Sequence, residues 1–93
     1  MANLKTIRES QSVEADINMT CRDWPRFESA WEGWTWRIAR GPEKGMPLPN
    51  HQGVYLFKSH PAFVEYGIPE TTILYRVVGD DVVDIISIKV SGS

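Results

Sequence analysis

The sequence lacks the residues and segments that mark secreted, membrane-bound and metal-dependent proteins. Its single cysteine, Cys21, excludes an internal disulfide and any zinc site built from cysteines. No apolar run approaches the roughly 18–20 residues that a membrane-spanning helix needs. Residues 1–5 do not include the apolar segment of a secretory signal. We therefore expect a cytoplasmic protein with no membrane partner.

Familiar catalytic motifs are missing as well. The sequence contains no glycine-rich phosphate loop, no serine nucleophile elbow and no cluster of His, Cys, Asp and Glu at metal-binding spacing. These absences predict a protein that uses neither a metal nor a cofactor. An excess of positive charge is also absent, because ten Lys and Arg face twelve Asp and Glu, and the net charge is −2. Any nucleic-acid-binding surface must therefore be a local cluster of cations.

The residues that are present indicate one small α+β domain over residues 1–93. The composition, 42% hydrophobic and 24% charged, is typical of a globular fold, and the chain is too short for two hydrophobic cores. A segment rich in Gly and Pro, residues 41–49, divides the sequence. Helical periodicity precedes this segment and β-branched residues dominate after it, an order typical of α+β domains.

Two amphipathic helices are predicted in the first half. In residues 12–21, Val13, Ile17 and Cys21 recur every four residues, with Ser12 as the N-cap. This spacing favours Cys21 as a core residue over a nucleophile. The second helix has the clearest apolar stripe of the chain, with spacings of 3, 4, 3 and 4 between Trp24, Phe27, Trp31, Trp34 and Ile38.

The second helix is predicted to begin after Asp23, acting as its cap, and to end at Gly41. Trp36 lies off its stripe, on the same side as Arg26, Arg37 and Arg40. Such a surface of Arg and Trp can bind phosphates, bases or proteins. The alternative is a solvated helix face on which Trp36 packs under the Pro-rich loop.

Three strands are predicted in the second half, at residues 53–58, 71–78 and 82–90. Gly79 lies in the short connection between the last two, where a glycine can adopt the positive φ of a hairpin turn. The strands therefore form an antiparallel sheet of at least three strands, and the tryptophan stripe of the second helix is expected to cover its apolar face.

The ionisable residues of this half offer two kinds of chemistry. His51 and His60 flank the first strand, where each is either a proton-transfer group or an ordinary surface residue. Lys58, Arg76 and Lys89 are the cations of the sheet half. On one face of the sheet they would bind a phosphate backbone or an acidic peptide. Projecting to the outer side, they would protect the sheet from edge-to-edge association.

Three segments, residues 36–45, 54–58 and 73–88, resemble the RelE/ParE toxin superfamily. Residues 36–45 close the helical half of the chain with a segment of Arg, Gly and Pro, and residues 54–58 are an apolar strand. The third opens with the Leu74-Tyr75-Arg76-Val77 hairpin, the most telling part of the likeness, and closes in an apolar strand. The resemblance covers about residues 12–90.

The resemblance implies a twisted antiparallel sheet of three to four strands with two N-terminal helices packed on it, and residues 1–9 as the first strand. It also implies the toxin of a toxin–antitoxin pair, with the cognate antitoxin as partner. RelE-like toxins cleave messenger RNA on the ribosome without a metal, whereas ParE-like toxins inhibit DNA gyrase by binding. Either the ribosome with its mRNA or gyrase would then be the target.

For the RNA-cleaving activity, the implied catalytic residues are Lys58, His60, Arg76 and Lys89. His60, or His51 in its place, would transfer the proton, and the three cations would hold and neutralise the phosphate. The residues implied to bind RNA or a partner are Trp36, Arg37, Arg40, Lys44 and His51.

The sequence also departs from the RNA-cleaving members. Thr71 and Thr72 stand where those members have a basic residue before the tyrosine strand, and no basic or aromatic side chain follows Val90. Two alternatives therefore stay open, a non-catalytic binding protein on the same fold and a gyrase inhibitor.

Overall fold

In the computed structural model, which describes residues 4–60 and 65–91, two helices pack against one face of a five-stranded sheet. Along the chain the elements are β1 (Thr6–Glu9), α1 (Gln11–Asp23), α2 (Phe27–Arg40), a 3-10 turn (Pro42–Lys44), β2 (Met46–Pro47), β3 (Val54–Lys58), β4 (Glu70–Val78) and β5 (Val82–Ser91). The predicted α+β architecture is thus confirmed. Within the described residues, no helix is both long and apolar enough to cross a membrane.

Helix α1 begins earlier than predicted. The hydroxyl of Ser10, not that of Ser12, accepts the backbone N–H of Val13 and caps the helix. Ser12 is inside the helix, where its hydroxyl lies 3.0 Å from that of Ser10. Cys21 is half-buried against the core, and burial, with the Glu28 carboxylate as a lesser cause, raises the pKa of its thiol. The reactive thiolate is therefore scarce at neutral pH.

Helix α2 begins at Phe27, so the prediction that Asp23 caps it was wrong. Asp23 is the last residue of α1, and the tight connection that follows brings the N–H of Phe27 to the carbonyl of Trp24. The predicted stripe is confirmed from Phe27 onward, since Phe27, Trp31, Trp34 and Ile38 are all buried.

Two contacts fix Trp31 in the core. Its ring lies 6.0 Å from that of Phe27, nearly parallel to it. Its indole N–H donates a 2.7 Å hydrogen bond to the carboxylate of Glu9 on β1. The same side chain thus joins α2 to Phe27 through apolar contact and to the first strand through a polar contact.

The sheet has five strands in the order β1-β5-β4-β3-β2, and it is mixed. The prediction of a three- to four-stranded antiparallel sheet was therefore wrong in strand number and partly in direction. The hairpin was predicted correctly, and Gly79 has a φ of 64° there. Strand β1 runs parallel to β5, a pairing that requires a long connection, and the two helices and strands β2 to β4 lie between them in the chain. Strand β2 has only two residues, too few to leave a sequence pattern.

The register assigns each side chain to one of the two faces. Ile73, Tyr75, Val83 and Ile85 are buried in the core with the helices. On the opposite face, Lys58 pairs with Thr72 and Thr72 with Lys89 in one row across three strands. A second row on the same face runs from Val54 through Arg76 and Asp84 to Arg8. Lys58, Arg76 and Lys89 therefore share the outer face of the sheet.

The contact between Arg8 and Asp84 ties β1 to β5 and predicts a pH dependence. The guanidinium donates two hydrogen bonds, of 2.6 and 2.9 Å, to the carboxylate. The hydrogen bond from Arg8 lowers the pKa of Asp84 in the folded state. A lowered carboxyl pKa stabilises the fold above the unfolded-state value of about 3.9, and that contribution is lost as the pH falls through the folded-state value.

We expect Asp84→Asn to lower the free energy of unfolding near neutral pH, and this difference from wild type to shrink below about pH 4. Urea unfolding of wild type and Asp84→Asn over a series of pH values measures this difference. Low salt is used because salt screens exposed ion pairs. Arg8→Ala is the control, because without the guanidinium the Asp84→Asn change should lose most of its pH dependence, leaving the lesser effect of Arg76. A difference that widens toward acid pH would contradict the expectation.

Candidate functional site

One groove brings together most of the cations predicted to be functional. It has a volume of about 1080 Å³ and lies between the end of α2, the 3-10 turn and the end of β3. Its apolar floor includes Trp34, Ile38, Phe57 and Tyr75. Four of the ten Lys and Arg residues line it, together with His60, and they are Arg37, Arg40, Lys44 and Lys58. Among the described residues that line the groove, none is Asp or Glu.

The cations converge because three chain segments end at the same place. Arg37 and Arg40 occupy the last turn of α2, where the helix dipole favours positive side chains. The helix stops at Gly41, and the 3-10 turn brings Lys44 back over it. A Cβ atom at position 41 would lie 3.2 Å from Cδ of Lys44, so the glycine leaves room for the lysine stem.

The third segment is fixed at the end of β3. The N–H of Ser59 donates to the carbonyl of Thr71, and the Ser59 hydroxyl accepts the Thr71 N–H at 2.8 Å. Ser59 is buried, so this pair holds the chain firmly against β4. Lys58 and His60, on either side of the serine, thereby border the groove. Lys58 belongs to the outer-face row, but it also reaches the groove because it is the last residue of β3.

Tyr75, on strand β4, holds the 3-10 turn in place through a hydrogen bond. Its hydroxyl donates a buried 2.6 Å hydrogen bond to the carbonyl of Pro42. Burial, then the neighbouring Tyr55 and Glu43, raises the pKa of Tyr75 to about 12. The hydroxyl therefore stays protonated at neutral pH and serves as a hydrogen-bond donor, not as a base. Gly45 has no room for a side chain, because a Cβ atom there would collide with the Tyr75 hydroxyl.

Trp36 lies at the wall of the groove and is 50% exposed. The Cζ atom of Arg40, one turn later on α2, lies 4.6 Å from the centroid of its ring. This is the geometry of a cation–π contact. The predicted surface of Arg and Trp therefore exists for Trp36, Arg37 and Arg40. Arg26 lies before α2 and donates a hydrogen bond to the carbonyl of Tyr66 instead.

The remaining predicted residues lie elsewhere. Arg76 is on the outer face of the sheet, paired with Asp84, and contributes to lowering the pKa of that carboxyl. Lys89 is on the same face, two strands away from Lys58. His51 lines a second, smaller cavity of about 580 Å³ beside residues 47–55. The predicted catalytic set is thus divided, with Lys58 and His60 at the groove and Arg76 and Lys89 outside its lining.

Sequence reasoning did not identify two residues that shape the groove, Tyr75 and Gly45. Tyr75 was visible only as part of the hairpin motif, and no local pattern showed that its hydroxyl reaches Pro42, 33 positions away. At position 45, the only sequence feature that indicated close packing was the glycine itself, which lies between the charged residues 43–44 and the proline-rich residues 47–49.

The arrangement is suited to binding an anion of extended shape. Arginine and lysine side chains attract phosphate, and an imidazole beside them can transfer a proton. The Glu43 carboxylate does not line the groove, but it is near enough to Tyr75 to help raise the pKa of that hydroxyl. Over residues 4–60 and 65–91, no group of three or more His, Cys, Asp and Glu could hold a metal ion. Comparison with models of known protein families and with characterised proteins finds no match to this chain.

Proposed function

We propose that this protein is a growth-inhibiting toxin similar to the RelE/ParE toxins and that its groove binds the phosphate backbone of messenger RNA. The observation that carries the proposal is the concentration of Arg37, Arg40, Lys44 and Lys58 around one groove in a protein whose net charge is −2. Cations gathered at one groove stabilise phosphate charge, including the charge that develops during cleavage.

In this proposal, each groove residue has a separate role in metal-independent RNA cleavage. His60 accepts the proton of a ribose 2′-hydroxyl, whose oxygen attacks the adjacent phosphorus while the bond to the next 5′-oxygen breaks. Lys58 and Lys44 neutralise the non-bridging oxygens, and Arg37 holds the backbone. The leaving 5′-oxygen takes up a proton from solvent or from the ribosome. Arg76 and Lys89, on the outer face, then contact the antitoxin and take no part in binding the target.

The proposal places the protein in the cytoplasm, with a cognate antitoxin protein as its partner and the translating ribosome as its target. A second candidate, binding without chemistry, is favoured by the division of the predicted catalytic set, because Arg76 and Lys89 do not line the groove. Inhibition of DNA gyrase belongs to this second class, since it requires binding alone.

We expect tightly controlled induction of the protein in a bacterial host to arrest growth. The purified protein should cleave an mRNA only while that mRNA is being translated in a cell-free system. Gyrase supercoiling, measured in parallel, should be unaffected. Arrest without mRNA cleavage but with loss of supercoiling would support the gyrase alternative. Normal growth at high protein levels would contradict the toxin proposal and favour an inert binding protein.

A further inference from the structure

We propose that Trp36 and Arg40 form a stacking surface for one unpaired base, so that the groove selects single-stranded RNA over duplex RNA. The inference rests on the proposed function, because it assigns a base subsite to the same groove. Trp36 and Arg40 together form what we call the stacking pair.

The first reason is the exposure of Trp36. Two of the four tryptophans, Trp31 and Trp34, are buried to 6% and 5% exposure, whereas Trp36 is 50% exposed. Keeping an indole in water forgoes the stabilisation that burying it in the core would give. The exposed part of this ring faces a groove, where a flat aromatic ligand can cover it. Nucleic-acid bases are flat aromatic groups that stack on such rings with little regard to sequence.

The second reason is the position of Arg40. Its guanidinium lies over the indole, with Cζ 4.6 Å from the ring centroid, and both residues lie on the same helix, one turn apart. The contact restricts both side chains before a ligand arrives, which lowers the entropic cost of binding. Guanidinium planes also stack on bases, so either member of the pair offers a flat surface.

The third reason is the distribution of charge around the pair. Arg37 follows Trp36 directly, and the stem of Lys44 passes over Gly41, one residue after Arg40. Lys58 lines the groove as well, from the end of β3. A base on the stacking pair therefore has cations nearby for its own phosphates. This combination of an aromatic platform and a positive groove is typical of sites for single strands.

The selection follows from base pairing and stacking. In a duplex each base is already stacked on its neighbours and is not available to a side chain. Only an unpaired nucleotide can place its base on Trp36 and its phosphates among the cations. We therefore expect the groove to bind single-stranded RNA more tightly than duplex RNA and to show no preference among the bases.

The test uses the full chain and an eight-nucleotide RNA that carries 2′-O-methyl groups, so that no 2′-hydroxyl is available for cleavage. Fluorescence anisotropy measures its binding as a single strand, as a duplex, and with one abasic site placed at each position in turn. We expect Trp36→Ala to weaken single-strand binding about 5- to 150-fold, the equivalent of ~1–3 kcal/mol for one stacked base. Trp36→Phe should recover much of the loss. Abasic substitution at one position should weaken wild type and leave Trp36→Ala unchanged.

The matched variant Arg37→Ala/Lys44→Ala/Lys58→Ala separates this inference from the proposed function. If it loses binding while Trp36→Ala keeps wild-type affinity and wild-type preference for the single strand, the stacking inference is overturned and the phosphate groove stands. If wild type binds neither the single strand nor the duplex, the stacking inference is overturned, whereas the proposed function is overturned only if mRNA on translating ribosomes also stays intact. Equal binding of duplex and single strand by the wild type would also overturn the inference.

Discussion

Replacing Trp31 with alanine is expected to lower the free energy of unfolding by ~3–5 kcal/mol. The substitution removes a 6%-exposed indole from the centre of the core and leaves a cavity beside Phe27. It also leaves the Glu9 carboxylate without its hydrogen bond from the indole. A domain of this length has a total stability of roughly 5–10 kcal/mol, so the variant will be close to unfolding.

Trp36→Ala is the matched control, because it is the same chemical change on the same helix. Trp36 is half exposed and its ring contact is with Arg40, so the expected loss of stability is below ~1 kcal/mol. Urea unfolding monitored by circular dichroism measures both variants. Equal losses for the two tryptophans would show that the core is not organised around the buried stripe.

Removing three groove cations is expected to abolish growth arrest. In Arg37→Ala/Lys44→Ala/Lys58→Ala, the groove loses three of its four permanent positive charges, and a bound phosphate loses most of its counter-charge. The three side chains contribute little buried apolar area, so the fold should persist. Growth after induction, at matched protein levels, measures the effect.

The control removes three positive charges that do not line the groove, in Arg22→Ala/Arg76→Ala/Lys89→Ala. All three side chains are exposed, so the net charge changes equally while the groove stays intact. We expect this variant to arrest growth as wild type does. If the control loses arrest and the groove variant keeps it, the outer face of the sheet, not the groove, is the working surface.

Local patterns predicted those parts of the fold that local physics determines. The stripe from Phe27 to Ile38 predicted the helix and its buried side, and Gly79 predicted the hairpin. The helix caps were predicted incorrectly because Ser10 and Ser12 are equally good caps by residue type, and the choice between them depends on where β1 ends. Asp23 is likewise a good cap by type, but α1 extends to include it.

The site was predictable by residue but not by arrangement. Trp36, Arg37 and Arg40 share a helix, so spacing alone placed them together. Lys58 and His60 join them through the hydrogen bonds between Ser59 and Thr71, a non-local contact with no sequence signature. Arg76 lies away from the groove because it pairs with Val54, at the opposite end of β3 from Lys58, and that pairing depends on strand register.

The pairing of the first strand with the last has a consequence for how the chain is made. Residues 6–9 pair in the sheet with residues 82–85, which are synthesised after all the other described elements of the fold. Until β5 has been synthesised, the buried stripe of α2 has no complete sheet to cover. Tyr75, whose hydroxyl holds the 3-10 turn, is also synthesised late in the chain. A nascent chain can therefore complete the groove only after Tyr75 has been added, and the sheet only after β5 can pair with β1.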